Sequence, residues 1–188
     1  MTEIQTLQDI THALDQAGIP YMITGAFAST HYSTPRTTQD IDMVIAPTPA
    51  TLNTLIQLLP SSDFYSALND AMEAFRHESM FNVVDMRTGW KIDFIMLKSR
   101  PYSREAFQRR KQATIQGVFL FVSTPEDVII SKLEWAKLGE SQRQIRDVAQ
   151  VLKFQSDALD RAYLERWIKE LDLTQQWAAA KQESGFQK

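Results

Sequence analysis

Apolar residues near the start of the chain recur at the three-to-four-residue spacing of a helix face. After Gly18 and Pro20, which end that helix, the apolar stretches become short and β-prone, as strands are. Helical spacing returns after Thr124, where an N-cap hydroxyl precedes a proline and two acidic residues in the first turn. This order predicts an α+β protein in which a sheet region is followed by a helical one.

Turn and capping residues set the boundaries of the predicted elements. The Arg87-Thr88-Gly89 segment separates two apolar runs and is typical of a hairpin. Ser141 followed by Gln144 matches the capping box that begins a helix. Predicted strands cover 21–24, 40–45, 81–86, 90–97, 114–116 and 118–123, and predicted helices cover 4–14, 26–32, 48–59, 65–76, 125–138, 141 onward, 160–171 and 174–182.

The composition is that of an ordinary globular protein. The chain has 188 residues, of which 44% are apolar and 23% charged, enough for one core with a small addition. No internal repeat or low-complexity linker separates the two regions. We therefore expect residues 1–123 to form the core and residues 124–188 to form a helical region packed on it.

Two absences narrow the possible functions. The sequence contains no cysteine, which excludes disulfides, thiolate zinc sites and a cysteine nucleophile. The longest apolar run, Val118 to Val122, is far shorter than a membrane span, and the polar N-terminus shows no secretory signal. We therefore expect a cytoplasmic protein without a membrane partner.

Charge is distributed unevenly along the chain. The formal net charge is -3, which gives no general attraction to nucleic acid. The segment from Lys98 to Lys111 nevertheless has six basic residues and one acidic residue, a local charge of +5. Such a segment is either a solvated helix face or a surface that meets a phosphate-rich substrate.

Two aspartates in the predicted strand 40–45 are the first candidates for chemistry. Because side chains alternate along a strand, Asp40 and Asp42 share one face, while Ile41 and Met43 pack on the other. Carboxylates on positions about 6.7 Å apart by strand rise repel each other unless a cation lies between them. Oxygen donors without a nearby histidine favour Mg²⁺ or Mn²⁺ over zinc, although a lone pair of acids is more often simply exposed.

A third aspartate interrupts an apolar strand later in the chain. Asp93 is flanked by apolar residues, where a carboxylate is costly to bury without a partner. If the two strands are neighbours, Asp93 completes a cluster able to hold two cations for phosphoryl or nucleotidyl transfer. The simpler alternative is an ion pair with Lys91 on the same face, but that pair would not explain Asp40 and Asp42.

A glycine lies at the junction of the first predicted strand and the following helix. Gly25 lets the backbone approach a phosphate closely, and the next helix begins with free N–H groups and a positive dipole end. Ser29, one turn further on, could reach the same space. A glycine at such a junction usually only allows the chain to turn. Gly25 becomes a candidate site residue because it precedes the strand that carries Asp40 and Asp42.

These residues together resemble the three motifs of the nucleotidyltransferase superfamily with the DNA polymerase β-like fold. The motifs are Gly25-Ala26 after an apolar strand, Asp40-x-Asp42, and Asp93 inside an apolar strand. The family usually has glycine or serine where Ala26 stands, so a possible hydroxyl contact is missing. More narrowly, PRTTQDIDMVI, GWKIDFIML, REAFQRR, STPEDVIISKLEWAK and SQRQIRDV are similar to the bacterial branch related to AbiEii-type toxins, over about residues 21–171.

The resemblance implies a mixed β-sheet with helices packed on it and an active site at one edge. Asp40 and Asp42 would hold the metal that carries the triphosphate, and Asp93 would help activate an acceptor hydroxyl. The turn at Gly25-Ala26 would hold the terminal phosphates through its backbone N–H groups.

Two basic residues are further candidates that the resemblance suggests. Lys132, in the helix after Thr124, would reach the nucleotide phosphates as a point charge, and Arg36 ahead of the acidic strand could do the same. Lys132 has a structural alternative, in which its stem extends along the core and its amine stays in water.

The expected function is a metal-dependent nucleotidyltransferase that uses two Mg²⁺ or Mn²⁺ ions to move a nucleoside monophosphate from a nucleoside triphosphate to a hydroxyl. The sequence leaves the acceptor open between RNA such as a tRNA end, a protein and a small molecule. The resemblance also implies a toxin-like role with an antitoxin partner. One rival is a catalytically inactive nucleotide-binding or regulatory module of the same fold, which Ala26 favours. The other is a metal-dependent nuclease, whose usual acid-x-lysine order is reversed at Lys91-x-Asp93.

Overall fold

The computed structural model describes residues 3–34, 38–139 and 141–185. Helices and strands alternate through its first part, and helices alone follow, as the hydrophobic pattern predicts. The helices are α1 (Glu3–Gln16), α2 (Gly25–Tyr32), α3 (Pro49–Leu58), α4 (Leu68–Arg76), α5 (Pro101–Gln108), α6 (Pro125–Gly139), α7 (Gln142–Gln155), α8 (Arg161–Glu170) and α9 (Thr174–Ser184). The strands are β1 (Tyr21–Thr24), β2 (Asp40–Ile45), β3 (Phe64–Tyr65), β4 (Met80–Asp85), β5 (Lys91–Met96), β6 (Lys111–Ile115) and β7 (Val118–Val122).

The strands of the described chain form one mixed sheet in the order β3-β4-β5-β2-β1-β7-β6. β2 runs parallel to β5, and β1 runs parallel to β7, while the remaining neighbours are antiparallel. This mixed sheet with helices packed on it confirms the fold class. Because β2 lies between β1 and β5, the strand that carries the first two aspartates is in the middle of the sheet.

Strand alternation sorts the apolar and polar side chains of β2 and β5 onto opposite faces. Ile41, Met43 and Ile45 of β2 are fully buried, as are Ile92 and Phe94 of β5. On the helical side, α1 packs on α3, and α4 packs on β4 and β5. The other face of these two strands carries their polar residues at one end and Val44 and Ile95 further along.

A buried aspartate fixes the hairpin between β4 and β5 to α1. Asp85 is fully buried and accepts hydrogen bonds from Thr6 Oγ1 (2.7 Å) and from Arg87 N (2.9 Å), Nε (2.9 Å) and Nη2 (2.8 Å). Arg87 also contacts Asp9 and lies over the ring of Phe64. Burial raises the pKa of Asp85, but the hydrogen bonds from Arg87 and Thr6 outweigh it and lower the pKa from 3.8 to about 2.

Two local predictions are wrong. Tyr65 lies in β3, and the helix that was expected there begins only at Leu68, because the preceding segment pairs with the end of β4. Ser141 is the N-cap of α7, but its side chain makes no capping hydrogen bond. Gln144 instead accepts a hydrogen bond from Lys132 Nζ (3.2 Å), so a tertiary partner replaces the local capping box.

The chain divides into two compact units. One consists of Met1–Phe27 with Thr37–Val122 and contains the sheet, and the other consists of Ala28–Arg36 with Ser123–Lys188 and contains α6 to α9. In the second unit, α7 packs against α6 and α9, and its Val148 and Leu152 are fully buried. Among the described helices, none combines the length and the apolar character that a membrane crossing requires.

Candidate active site

The parallel pairing of β2 with β5 brings the three sequence-predicted aspartates onto one face of the sheet. Asp42 is the register partner of Asp93, and Asp40 is the register partner of Lys91. Side chains opposite each other on neighbouring strands point to the same face. The sequence-based condition that the two acidic strands be neighbours is therefore met.

Asp93 is a buried carboxylate whose two oxygens have separate partners. The residue is 6% exposed. Its Oδ1 accepts a hydrogen bond from Asn82 Nδ2 at 2.8 Å, and its Oδ2 lies 3.0 Å from Lys91 Nζ. These two contacts offset the cost of burying the charge. They also hold the carboxylate in one orientation.

Asn82 is a site residue that the sequence analysis missed. It is the antiparallel register partner of Asp93 on β4. The sequence indicates Asn82 only weakly. A single polar residue between Phe81 and Val83 is also expected in any strand that has one face exposed to solvent. Only the pairing of β4 with β5 reveals that its amide faces an acid.

Lys91 links two of the three carboxylates. Its ammonium lies 3.0 Å from Asp93 Oδ2 and 3.8 Å from Asp40 Oδ1. The hydrogen bond with Asp93 raises the pKa of Lys91, and partial burial opposes this effect. The ion pair that was the simpler explanation of Asp93 is therefore present, and it extends to Asp40. The side chain of Asp40 is 55% exposed, so its carboxylate remains open to solvent.

Gly25 lies directly against the carboxylate of Asp42. The residue has φ +64°, and a Cβ built on it would be 1.9 Å from Asp42 Oδ2 and 2.5 Å from Cγ. Any other residue would therefore be strained and would also displace the Asp42 side chain. Because β1 ends at Thr24 and α2 begins at Gly25, this turn brings the start of a helix beside an acidic side chain.

The remaining predicted nucleotide contacts differ in position. Ala26 follows Gly25 in the first turn of α2 and is half-buried. Ser29 lies in the same helix and is 5% exposed. Arg36 lies outside the described residues. A contact of any of these three with a nucleotide stays a prediction.

Lys132 has partners within the helical unit. It is buried, and its ammonium lies 2.7 Å from Asp147 Oδ2 and 3.2 Å from Gln144 Oε1. The alternative in which the amine stays in water is therefore wrong. The ion pair joins α6 to α7, two helices that pack along each other. A nucleotide contact by Lys132 stays a prediction.

The acids suit a hard divalent cation by their donor chemistry. Carboxylate oxygens such as those of Asp40 and Asp42 are the ligands that Mg²⁺ and Mn²⁺ prefer, and Mg²⁺ is commonly held by one or two carboxylates together with substrate phosphates. Within the described ranges, no three His, Cys, Asp or Glu side chains form a group that could hold an ion by themselves. A divalent ion at Asp40 and Asp42 would therefore need further ligands.

Several solved structures are similar to this chain over nearly its whole length. The solution structure of the antibiotic-resistance factor ANT(2'')-Ia has a TM-score of 0.59 and 16% identity, with 98% of this chain and 98% of that chain covered. The crystal structure of ANT(2'')-Ia in complex with adenylyl-2''-tobramycin has a TM-score of 0.58 and 14% identity, with 94% of this chain and 99% of that chain covered. An antigenic nucleotidyltransferase-like protein from Paracoccidioides brasiliensis has a TM-score of 0.55 and 19% identity, with 95% of this chain and 92% of that chain covered.

The sequence comparisons are less informative than the structural ones. Neither the protein-family models nor the curated protein sequences give a match. At such low identity, a structural likeness shows the fold and leaves the chemistry to the site residues. The likeness extends over almost the whole chain and includes the C-terminal helices. This chain therefore has the nucleotidyltransferase fold.

Proposed function

We propose that this protein is a nucleotidyltransferase that moves a nucleoside monophosphate from a nucleoside triphosphate to a hydroxyl acceptor and releases pyrophosphate. The observation that carries the proposal is the register pairing of Asp42 with Asp93 beside Gly25. It combines two acids from neighbouring strands with the start of a helix. This arrangement supports cation binding and phosphate binding close together on one face of the central strands β5, β2 and β1.

The three acids have two roles in this proposal. Asp40 and Asp42 would hold a divalent cation, which when bound neutralises triphosphate charge. Asp93 is the best placed to accept a proton from the acceptor hydroxyl, because Asn82 and Lys91 orient its carboxylate and each oxygen keeps further acceptor capacity. Catalysis would then be mainly a matter of positioning and charge neutralisation.

The phosphates would be held by the backbone and by nearby side chains. The N–H groups at Gly25 and Ala26 begin α2 and favour an anion. Ser29, Arg36 and Lys132 are proposed as additional phosphate contacts on the basis of the sequence resemblance. For Lys132 this role requires that a phosphate share or replace the contact with Asp147.

The acceptor is proposed as a class only. The basic segment 98–111 would suit a phosphate-rich acceptor, but part of its charge has structural partners. Arg100 donates to Ser103 Oγ, while Arg110 donates to the carbonyl of Phe107 and lies over its ring. Since ANT(2'')-Ia has been solved with an adenylylated tobramycin, a small hydroxyl compound belongs beside RNA and protein among the acceptors to test. A toxin-like role with an antitoxin partner rests on the sequence resemblance alone.

A transfer assay with labelled triphosphates tests the proposal. The purified protein is incubated with Mg²⁺ or Mn²⁺, each α-labelled triphosphate, and total RNA, cell lysate or an aminoglycoside. We expect label transfer that Asp42→Asn abolishes and that Asp70→Asn, a matched change at an exposed acid in α4, leaves unchanged. Binding of a triphosphate without transfer would favour the inactive module. Shortened RNA without a triphosphate would favour the nuclease.

A further inference from the structure

Lys91 is placed so that its charge serves two carboxylates of the candidate site. It is the register partner of Asp40 and lies two residues before Asp93 on the same strand face. The ammonium therefore has one acid across the strand pair and one along its own strand. The distances, 3.8 Å to Asp40 Oδ1 and 3.0 Å to Asp93 Oδ2, show that it reaches both.

The contact between Lys91 and Asp93 is buried on the side of the carboxylate. The side chain of Asp93 is 8% exposed and that of Lys91 is 38% exposed. Charge pairs with one buried partner are screened less by water and salt than surface pairs are. Asn82 occupies the other carboxylate oxygen of Asp93, which limits rotation of that side chain away from Lys91. The ammonium is thus a built-in counter-ion of Asp93.

A divalent ion on Asp93 Oδ2 would compete with this ammonium. Mg²⁺ needs carboxylate oxygens at about 2.0–2.1 Å, whereas Lys91 Nζ already lies 3.0 Å from the same oxygen. The two cations would repel each other at such separations. An ion on Asp93 Oδ2 would therefore have to displace Lys91.

A single ion is enough for this arrangement. One or two carboxylates with substrate phosphates can hold Mg²⁺, and Asp40 and Asp42 supply two carboxylates while Asp93 stays paired with Lys91.

We propose that Lys91 supplies at Asp93 and Asp40 the positive charge that a second divalent ion would otherwise bring, so that the protein binds one catalytic divalent ion rather than the two expected from its sequence. This inference rests on the proposed function of the site. It makes Lys91 a positioning residue that keeps Asp93 oriented and free of metal.

Counting bound Mn²⁺ tests the inference without reference to activity. The electron paramagnetic resonance signal of free Mn²⁺ is followed during titration of the wild-type chain, Lys91→Met, Lys91→Gln and the control Lys111→Met, which removes the same charge from an exposed position in β6. Each titration includes one equivalent of a non-hydrolysable triphosphate analogue per chain, because the proposed ion is held partly by substrate phosphates. We expect both Lys91 variants to bind one more ion per chain than the wild type. The control should bind the same number as the wild type.

The outcomes separate this inference from the proposed function. Equal ion counts in the wild type and in a folded Lys91 variant, or two ions in the wild type, would overturn the role of Lys91. Lys91→Gln retains an amide that can donate a hydrogen bond to Asp93. If Lys91→Met does not fold, the number of Mn²⁺ ions bound by Lys91→Gln is compared with that of the wild type. Absence of nucleotidyl transfer by the wild type would reject the transferase, whatever the ion counts are.

Discussion

The carboxylate of Asp42 occupies the space that a side chain at Gly25 would fill. A Cβ at Gly25 would lie 1.9 Å from Asp42 Oδ2 and 2.8 Å from its Cβ. The glycine of the first motif is thus required by the aspartate of the second, as well as by its own backbone conformation. This contact ties the strand-to-helix turn to the acidic strand before any ligand is present.

Replacement of Gly25 by alanine should cost more than its backbone conformation explains. Gly18 has nearly the same φ, +66° against +64°, but a Cβ there meets nothing within 4 Å. Gly18→Ala should therefore lose about 1 kcal/mol of unfolding free energy, and Gly25→Ala about 1–3 kcal/mol more. Urea denaturation of both variants measures the difference. Equal losses would show that Asp42 adjusts without cost.

Asn82 should act on turnover through the orientation of Asp93. Asn82→Ala removes the donor to Asp93 Oδ1, and we expect kcat to fall about tenfold with little change in the KM for the triphosphate. Asn82→Asp should be worse, because it places a second negative charge against Asp93. Steady-state kinetics give both constants. Asn69→Ala, at an exposed position in α4, is the control and should change neither.

The buried pair of Lys132 and Asp147 should be much more important for stability than an exposed pair on the same helix. Lys132→Met leaves Asp147, which is 15% exposed, without its ammonium, and should cost about 3 kcal/mol. Lys137→Met breaks a pair whose side chains are 39% and 90% exposed, and should cost much less, because water screens such a pair. Chemical denaturation compares the two. Similar losses of unfolding free energy in the two variants would contradict this prediction.

A double variant tests whether Lys132 also contacts the nucleotide. Adding Asp147→Leu to Lys132→Met replaces the ion pair with apolar groups and should restore most of the lost stability. If Lys132 binds phosphate, this restored protein should still bind the triphosphate more weakly than the wild type does. Unchanged affinity in the stable double variant would assign Lys132 to the helical unit alone.

Stability should fall in acid because of Asp85. Its pKa is lowered from 3.8 to about 2 in the folded state, so its contribution is fully present above pH 4 and is lost as the pH falls toward 2. The difference amounts to about 2 kcal/mol. Asp85→Asn should lower stability at neutral pH and flatten this part of the profile. Urea midpoints between pH 2 and pH 7 measure it, with exposed Asp70→Asn as the control.

Sequence patterns predicted most elements because their causes are local. The alternation in residues 40–45 separates apolar from acidic side chains within one strand, and the start of α6 follows from its capping residues. The failures occurred where a distant segment intervened. Tyr65 joined the edge of the sheet, and Gln144 took a hydrogen bond from Lys132 instead of closing a capping box.

The sequence by itself determined the residues available for the site. A strand with acids on one face, a glycine before it and an acid in a later apolar strand are all readable in chain order. Tertiary structure alone decided that Asp42 faces Asp93, that Lys91 reaches Asp40 and Asp93, and that Asn82 also binds Asp93. The physical reason is that face alternation depends on neighbours in the chain, whereas strand order and register depend on burial of the whole sheet.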